Sequence, residues 1–143
     1  MTAKQLSIFL ENRSGRLHEV TDVLGKAGIN IRALSLADTS DFGILRLIVD
    51  KPDEAYRILR DSGFTVKESD VLAVEVSDQP GGLAKVLEIF RDGGINVEYM
   101  YAFVEKSGEN AIVIFRTEDI KRSSQLLVEH GISQIEGEKL YKM

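Results

Sequence analysis

Two loops in this chain carry residue types and spacings that could grip a small zwitterion. The first is Glu11-Asn12-Arg13-Ser14-Gly15-Arg16-Leu17 and the second Ser77-Asp78-Gln79-Pro80-Gly81-Gly82-Leu83, each with a glycine where a helix is due to begin. A helix N-terminus presents unpaired backbone N–H groups and partial positive charge, so a carboxylate is well held by the amides near Gly15 to Leu17 and near Gly81 to Leu83. Asn12 and Asp78 occupy the same position in the two loops and offer side-chain oxygens to an ammonium group. Together these are the two poles of a free amino acid. The same residues would also serve as helix caps or turn formers, and a cap would recur as readily as a ligand contact. Arg13 and Arg16 make the first loop locally basic, whereas Asp78, Gln79 and Gly82 leave the second acidic to neutral. A further pair of segments, Gly28-Ile29-Asn30-Ile31 and Gly94-Ile95-Asn96-Val97, sets an asparagine at the mouth of a strand. From the residues alone, a turn asparagine and a ligand contact are equally open there.

The elements that must position these groups come from an internal repeat. Gly15, Leu17, Val20, Gly28, Ile29 and Asn30 recur as Gly81, Leu83, Val86, Gly94, Ile95 and Asn96, each 66 residues later. Leu59 and Gly63 recur as Leu127 and Gly131, 68 residues later, which puts two extra residues in the second copy, naturally at the tip Glu105–Asn110. Within a copy, Gln5 to Glu11 alternates as a strand, and Leu17, Val20, Leu24 and Ala27 recur at helical spacing. Gly28 caps that helix, and Ile31 to Ala37 is extended again. Asp38 to Asp41 is turn chemistry, Ile44 to Val49 a β-branched strand, and Pro52 opens a second helix that buries Ala55, Ile58 and Leu59. Gly63 ends it and Phe64-Thr65-Val66 starts a short last strand. The second copy repeats this with a strand over Val71 to Ser77, a helix through Leu83, Val86, Leu87 and Phe90, strands near Val97 to Val104 and Ala111 to Thr117, a helix ending by Gly131, and a last strand around Gln134 to Leu140. The expected class is α+β: two ferredoxin-like βαββαβ repeats, residues 1–69 and 70–143, with antiparallel sheets side by side and the helices on one face.

Composition narrows the function. With 18 Lys+Arg against 23 Asp+Glu, the net charge of −5 and the lack of a basic cluster disfavour nucleic acid. No cysteine is present, so disulfides, thiolate zinc sites and cysteine nucleophiles are excluded. No apolar run reaches the roughly 20 residues needed to cross a bilayer, and the N-terminus lacks a signal-peptide run, so no membrane association and a cytoplasmic location are expected. His18 and His130 have no companions at metal-ligand spacing, and no metal or cofactor is expected. Tyr99 and Tyr101 share one strand face, suited to packing or an assembly surface. Asp50, Asp53 and Glu54 gather at a helix start, where negative charge offsets the dipole.

The pattern Asn12-x-x-Gly15-x-Leu17, a short amphipathic helix and Gly28-Ile29-Asn30-Ile31 resembles the ACT domain, and Asp78-x-Pro80-Gly81-x-Leu83 with Gly94-Ile95-Asn96-Val97 resembles it more fully. The first copy is also similar to the start of the regulatory small subunit of acetohydroxyacid synthase, with Ser14 where a proline is frequent. The resemblance implies a non-enzymatic regulatory module that binds a free amino acid where two ACT domains meet and signals to another protein. It would place Asn12, Gly15 and Leu17 against Asn96, and Asp78, Gly81 and Leu83 against Asn30. An amino-acid biosynthetic enzyme as partner and a homodimer are expected. The alternatives are a ligand-free protein-interaction module or a regulatory subunit of such an enzyme and, remotely, an acylphosphatase-like hydrolase. Arg13 and Asn30 invite that last comparison, but the Gly15 loop lacks a long cradle ending in Phe-Arg, and Asn30 does not sit in a Gly-x-Val-x-Asn strand.

Overall fold

The computed structural model describes residues 2–38 and 41–143 and divides into two units: Lys4–Ser69, and Asp70–Met143 with the start of the chain as far as Ala3. In the N-terminal unit, β1 (Ala3–Glu11), α1 (Arg16–Lys26), β2 (Ile31–Asp38), β3 (Phe42–Val49) and α2 (Pro52–Asp61) follow the expected order. The central strand β3 pairs antiparallel with both neighbours, Leu45 facing Ile8 of β1 and Leu36 of β2. Alternation then decides the core. Leu6, Ile8 and Leu10 of β1 and Leu45, Leu47 and Val49 of β3 point to one face, where Val20 and Leu24 of α1 and Ala55 and Leu59 of α2 cover them. Gln5 and Ser7 lie on the other face of β1 and are also buried, with the Gln5 amide donating to the Ser7 hydroxyl at 3.2 Å. Pro52 is the first residue of α2, where its missing N–H leaves no bond unmade. Asp53 and Glu54 occupy that helix's first turn. Of the expected Asp38–Asp41 turn, Asp38 ends β2, while Thr39 and Ser40 lie outside the described residues.

The C-terminal unit repeats the pattern with α3 (Gly82–Asp92), β5 (Val97–Ala102), β6 (Asn110–Thr117) and α4 (Ile120–Glu129). Here β6 is central, pairing Phe115 with Leu72 on one side and Met100 on the other. Its core sets Leu72, Val74, Val76 and Phe115 against Val86, Phe90 and Leu127, and the Phe90 and Phe115 rings meet edge to face at 5.4 Å. The two extra residues fall on the β5–β6 hairpin, whose tip closes through reciprocal backbone bonds of 2.9 Å between Ser107 and Asn110.

Two expectations are corrected. The last strand of the first repeat and the first strand of the second are one 13-residue strand, β4 (Thr65–Ser77). The segment between them, Lys67-Glu68-Ser69-Asp70, holds neither glycine nor proline, so nothing in it turns the chain. The closing strand expected around Gln134 to Leu140 is only β7 (Gln134–Ile135), paired with Val74 and Ala73, and is followed by helix α5 (Gly137–Tyr141). The Gly137 amide donates to the Thr2 carbonyl at 3.3 Å, and a Cβ there would lie 2.8 Å from the Tyr141 hydroxyl. That close approach leaves the ladder, and Glu138-Lys139-Leu140 then favours a helix whose Leu140 is buried.

Candidate functional site

Both predicted loops run from the end of a strand into a helix whose N-cap is a left-handed glycine, Gly15 at φ 88° and Gly81 at φ 86°. The N-cap position of each helix is thus glycine, and Asn12 and Asp78 lie three residues before it. In the first loop the Arg13 amide donates to the Glu11 carbonyl at 2.9 Å and the Arg16 amide to the Arg13 carbonyl at 3.4 Å. In the second, Gln79 bonds Ser77 at 2.9 Å and Gly82 bonds Gln79 at 3.0 Å, a tighter winding of the same turn. Gly82 shows why. A Cβ at that position would sit 1.9 Å from the Ser77 carbonyl oxygen, whereas the first loop carries Arg16 at the equivalent place. The Asn12 amide ties its loop to the Asp41 carbonyl at 2.9 Å.

The charges around each loop are matched. Glu11 stands between two guanidinium groups, taking Arg13 Nε at 3.1 Å and the Arg16 guanidinium at 3.4 Å, and Arg16 also donates to Glu19 at 2.6 Å. The first loop is therefore not basic as the two arginines alone imply. Glu11 and Glu19 balance them. Arg16 lies largely buried with its guanidinium 4.7 Å from the Phe64 ring centroid, and its Nε is buried without a hydrogen-bond partner. The Glu19 hydrogen bond, partly opposed by desolvation, raises the Arg16 pKa above its ordinary value, so it stays charged. In the second loop Asp78 forms an ion pair with Lys106, which reaches back from the β5–β6 hairpin. The ammonium group expected of a ligand is thus already supplied by the chain.

A cleft of about 210 Å³ opens in the N-terminal unit beside the first loop. Asn12, Arg13, Arg16 and Leu17 line it, joined by Leu10, Glu11, Leu36 and Gly43, which the sequence reading had not assigned. Ser14 and Gly15 lie exposed on the loop itself, as do Gln79, Pro80 and Gly81 on the second. Leu83 packs instead against the C-terminal core.

The Gly-Ile-Asn segments lie at the other end of each unit. Helix α1, 11 residues and so about 16 Å long, separates Asn30 from Gly15. No single unit brings its loop and its asparagine together. Each asparagine is held by its backbone: the Asn30 amide donates to the Asp50 carboxylate at 2.9 Å and its carbonyl accepts the Asp50 amide at 3.1 Å. Asn96 repeats this with Glu118, at 3.1 and 3.2 Å. Asp50 thus anchors the β2 entrance as well as preceding α2. The signal was in the sequence, because Glu118 follows Asp50 at the same 68-residue spacing as Leu127 follows Leu59. Ile31 and Val97 pack against their own cores.

Elsewhere, His130 Nδ1 lies 2.8 Å from the Leu126 carbonyl. Among the described residues no three His, Asp or Glu side chains gather as metal ligands, and no helix is long and apolar enough to cross a membrane.

Two antiparallel βαββαβ units, each with a glycine-capped loop after its first strand, define a duplicated ferredoxin-like fold. The sequence profile of the ACT domain pair matches residues 1–143, and the chain belongs to that family. A protein of Bacteroides thetaiotaomicron is similar over 100% of this chain and 98% of its own, at 45% identity and a TM-score of 0.93. The regulatory subunit of aspartate kinase from Thermus thermophilus shares the fold over 88% of this chain and 91% of its own, at 17% identity and a TM-score of 0.62. The corresponding subunit from Thermus flavus gives 17% and 0.60, over 88% and 90%. No curated protein matches the chain significantly. The similarity of the first repeat to the acetohydroxyacid synthase small subunit gains no support from these matches.

Proposed function

We propose that this chain is a regulatory subunit of an amino-acid biosynthetic enzyme, with ACT domains over residues 1–69 and 70–143, and that a free amino acid is its effector. The observation that carries this reading is the ACT pair spanning residues 1–143, the arrangement that the Thermus aspartate kinase regulatory subunits share over most of their length. In this reading the effector is held where the loop of one repeat meets the Gly-Ile-Asn segment of the other, Asn12, Gly15 and Leu17 with Asn96, and Asp78, Gly81 and Leu83 with Asn30. Support comes from the chemistry of the loops: both have a left-handed glycine cap, the first with carboxylate and guanidinium groups beside it and the second with the Asp78 carboxylate. The reading includes a cytoplasmic location and a homodimer. For the dimer the support is β2, an edge strand whose Leu34 and Leu36 are half exposed.

The test is a thermal-shift screen of the protein against the twenty amino acids, with calorimetry on each hit. Effector at about 100 times its dissociation constant adds about 2.7 kcal/mol, a shift of several degrees in a chain of this size. The internal pairing of Asp78 with Lys106 favours a second reading, a protein-interaction module that needs no ligand. That reading expects no shift with any amino acid.

A further inference from the structure

The two repeats fasten their second helix to the sheet with different chemistry. In the N-terminal unit α2 is held by apolar contact: Val49 and Ala55 are fully buried, and Tyr56, Ile58 and Val66 pack against the same core. In the C-terminal unit the residues 68 positions on from Val49, Ala55, Tyr56 and Val66 are Thr117, Ser123, Ser124 and Gln134, all of them polar. They bond to one another in pairs. The Thr117 and Ser123 hydroxyls meet at 2.7 Å with both residues fully buried, and Ser123 also donates to the Asp119 carbonyl at 2.6 Å. The Ser124 hydroxyl donates to the Gln134 side-chain oxygen at 3.0 Å, and the Gln134 side-chain amide donates back to the Ser124 carbonyl at 3.2 Å. The Arg122 guanidinium adds a 3.2 Å bond to the Gly93 carbonyl at the end of α3. Leu127 is fully buried, so α4 is docked, but the contacts around that leucine are polar where those of α2 are apolar.

The difference sets what each helix loses on leaving the sheet. Lifting α2 exposes apolar surface, and water offers nothing in return. Lifting α4 breaks hydrogen bonds that water remakes on both partners, so most of their strength is recovered. We infer that α4 is the movable element of the C-terminal unit, a helix latched by polar contacts that leaves the sheet while α3 and the strands stay folded. Elements that respond to a bound signal are drawn from such weakly held parts of a fold. The inference goes beyond the function proposed above, because it concerns how this unit changes shape whatever it binds.

The buried Thr117–Ser123 pair also gives the latch two definite states. Its hydroxyls are satisfied when they meet under α4 or when both are wet, and any position between strands them. The helix is therefore on or off.

Native-state hydrogen exchange on the full chain, followed by NMR at low urea, reads the detachment, because a free 10-residue helix is too short to keep its own hydrogen bonds in water. The amides of Leu126, Leu127 and Val128 should be protected about tenfold or more weakly than those of Ile89, Phe90 and Arg91 in α3, with the smaller urea dependence of a partial opening. No such gap should separate α2 from α1. Thr117→Val combined with Ser123→Ala installs the first repeat's own pair and should raise α4 protection by about tenfold. Gln134→Val, again the first repeat's residue, should raise it in the same direction and does not touch the buried pair. A rise in either variant supports the latch. Protection of α4 equal to that of α3 would show that the unit opens as a whole and would overturn the inference. An equal gap between α2 and α1, or α4 protection raised by neither variant, would overturn it as well.

Discussion

Gly82→Ala sets two effects of opposite sign against each other. Gly82 is the first residue of α3, and its φ is outside the left-handed region, so helix propensity alone makes alanine more stable by about 1 kcal/mol. Packing says the reverse. The added Cβ would lie 1.9 Å from the Ser77 oxygen and 2.9 Å from its carbonyl carbon, against the 3.0 Å that real contacts respect, so backbone must move by about 1 Å. The Ser77 carbonyl also accepts the Gln79 amide at 2.9 Å, and swinging it away forfeits about 1 kcal/mol more. Overpacking of about 1–3 kcal/mol together with that lost bond outweighs the propensity gain, leaving Gly82→Ala destabilised by about 1–3 kcal/mol. Urea denaturation measures it directly, and calorimetry should show the midpoint lower by roughly 4–10 °C. Gly93→Ala is the control, because its Cβ meets Leu126 Cδ1 at 2.4 Å, the end of a side chain that can rotate away. It should lose less. A Gly82→Ala protein as stable as the parent, or more so, would show that the second loop relaxes freely and would remove the case for two unlike loops.

Three smaller effects follow from single contacts. Asp50→Ala and Glu118→Ala each strip the acceptor from an asparagine amide, so each should lower stability by about 1 kcal/mol in urea, and equal midpoints would refute the anchoring role. Thr117 and Ser123 share a buried 2.7 Å hydroxyl pair in which Ser123 donates on to the Asp119 carbonyl. Ser123→Ala strands the Thr117 hydroxyl and should cost about 1–3 kcal/mol, more than Thr117→Val, which leaves Ser123 its bond; the reverse order would overturn this donor chain. The Lys26 hydrogen bond holds Asp22 below the usual carboxylate range, so its stabilisation is present above that range and fades as pH falls through the lowered pKa. The gap in Tm between the parent and Asp22→Asn should narrow from pH 7 to pH 2, and a constant gap contradicts the assignment.

How far the sequence carried depended on whether the signal was local. Period and punctuation located both helices of each repeat, because Val20 with Leu24 and Val86 with Phe90 recur at helical spacing and a glycine closes each run. That the strands at Phe64–Val66 and Val71–Ser77 join through Lys67–Asp70 was not legible, because a polar stretch can be a loop or an exposed stretch of strand, and only pairing decides. The end of the chain failed for a similar reason: Gly137, the first residue of α5, bonds Thr2, a residue at the opposite end of the sequence. At the site, the loop residues were legible by type, but Glu11 was passed over as the end of a strand. Its role depends on where Arg13 and Arg16 aim. Lys106 was seen only as part of a hairpin tip, and its reach to Asp78 is a tertiary fact.

Arg16 joins more of the N-terminal unit than any other group at the first loop. Its guanidinium touches Glu11 at the end of β1 and Glu19 in the first turn of α1, and it lies over Phe64, which immediately precedes β4. Arg16 in turn bears on the helix start and on the ring before β4. The second loop has no comparable hub, since glycine stands at that position and the Asp78 charge is met from a hairpin. Allosteric output requires a ligand whose contacts differ between two arrangements of the protein, not merely one that binds. The first loop closes with a turn bond of 3.4 Å and the second with one of 3.0 Å, and no side chain fits at Gly82 in the second.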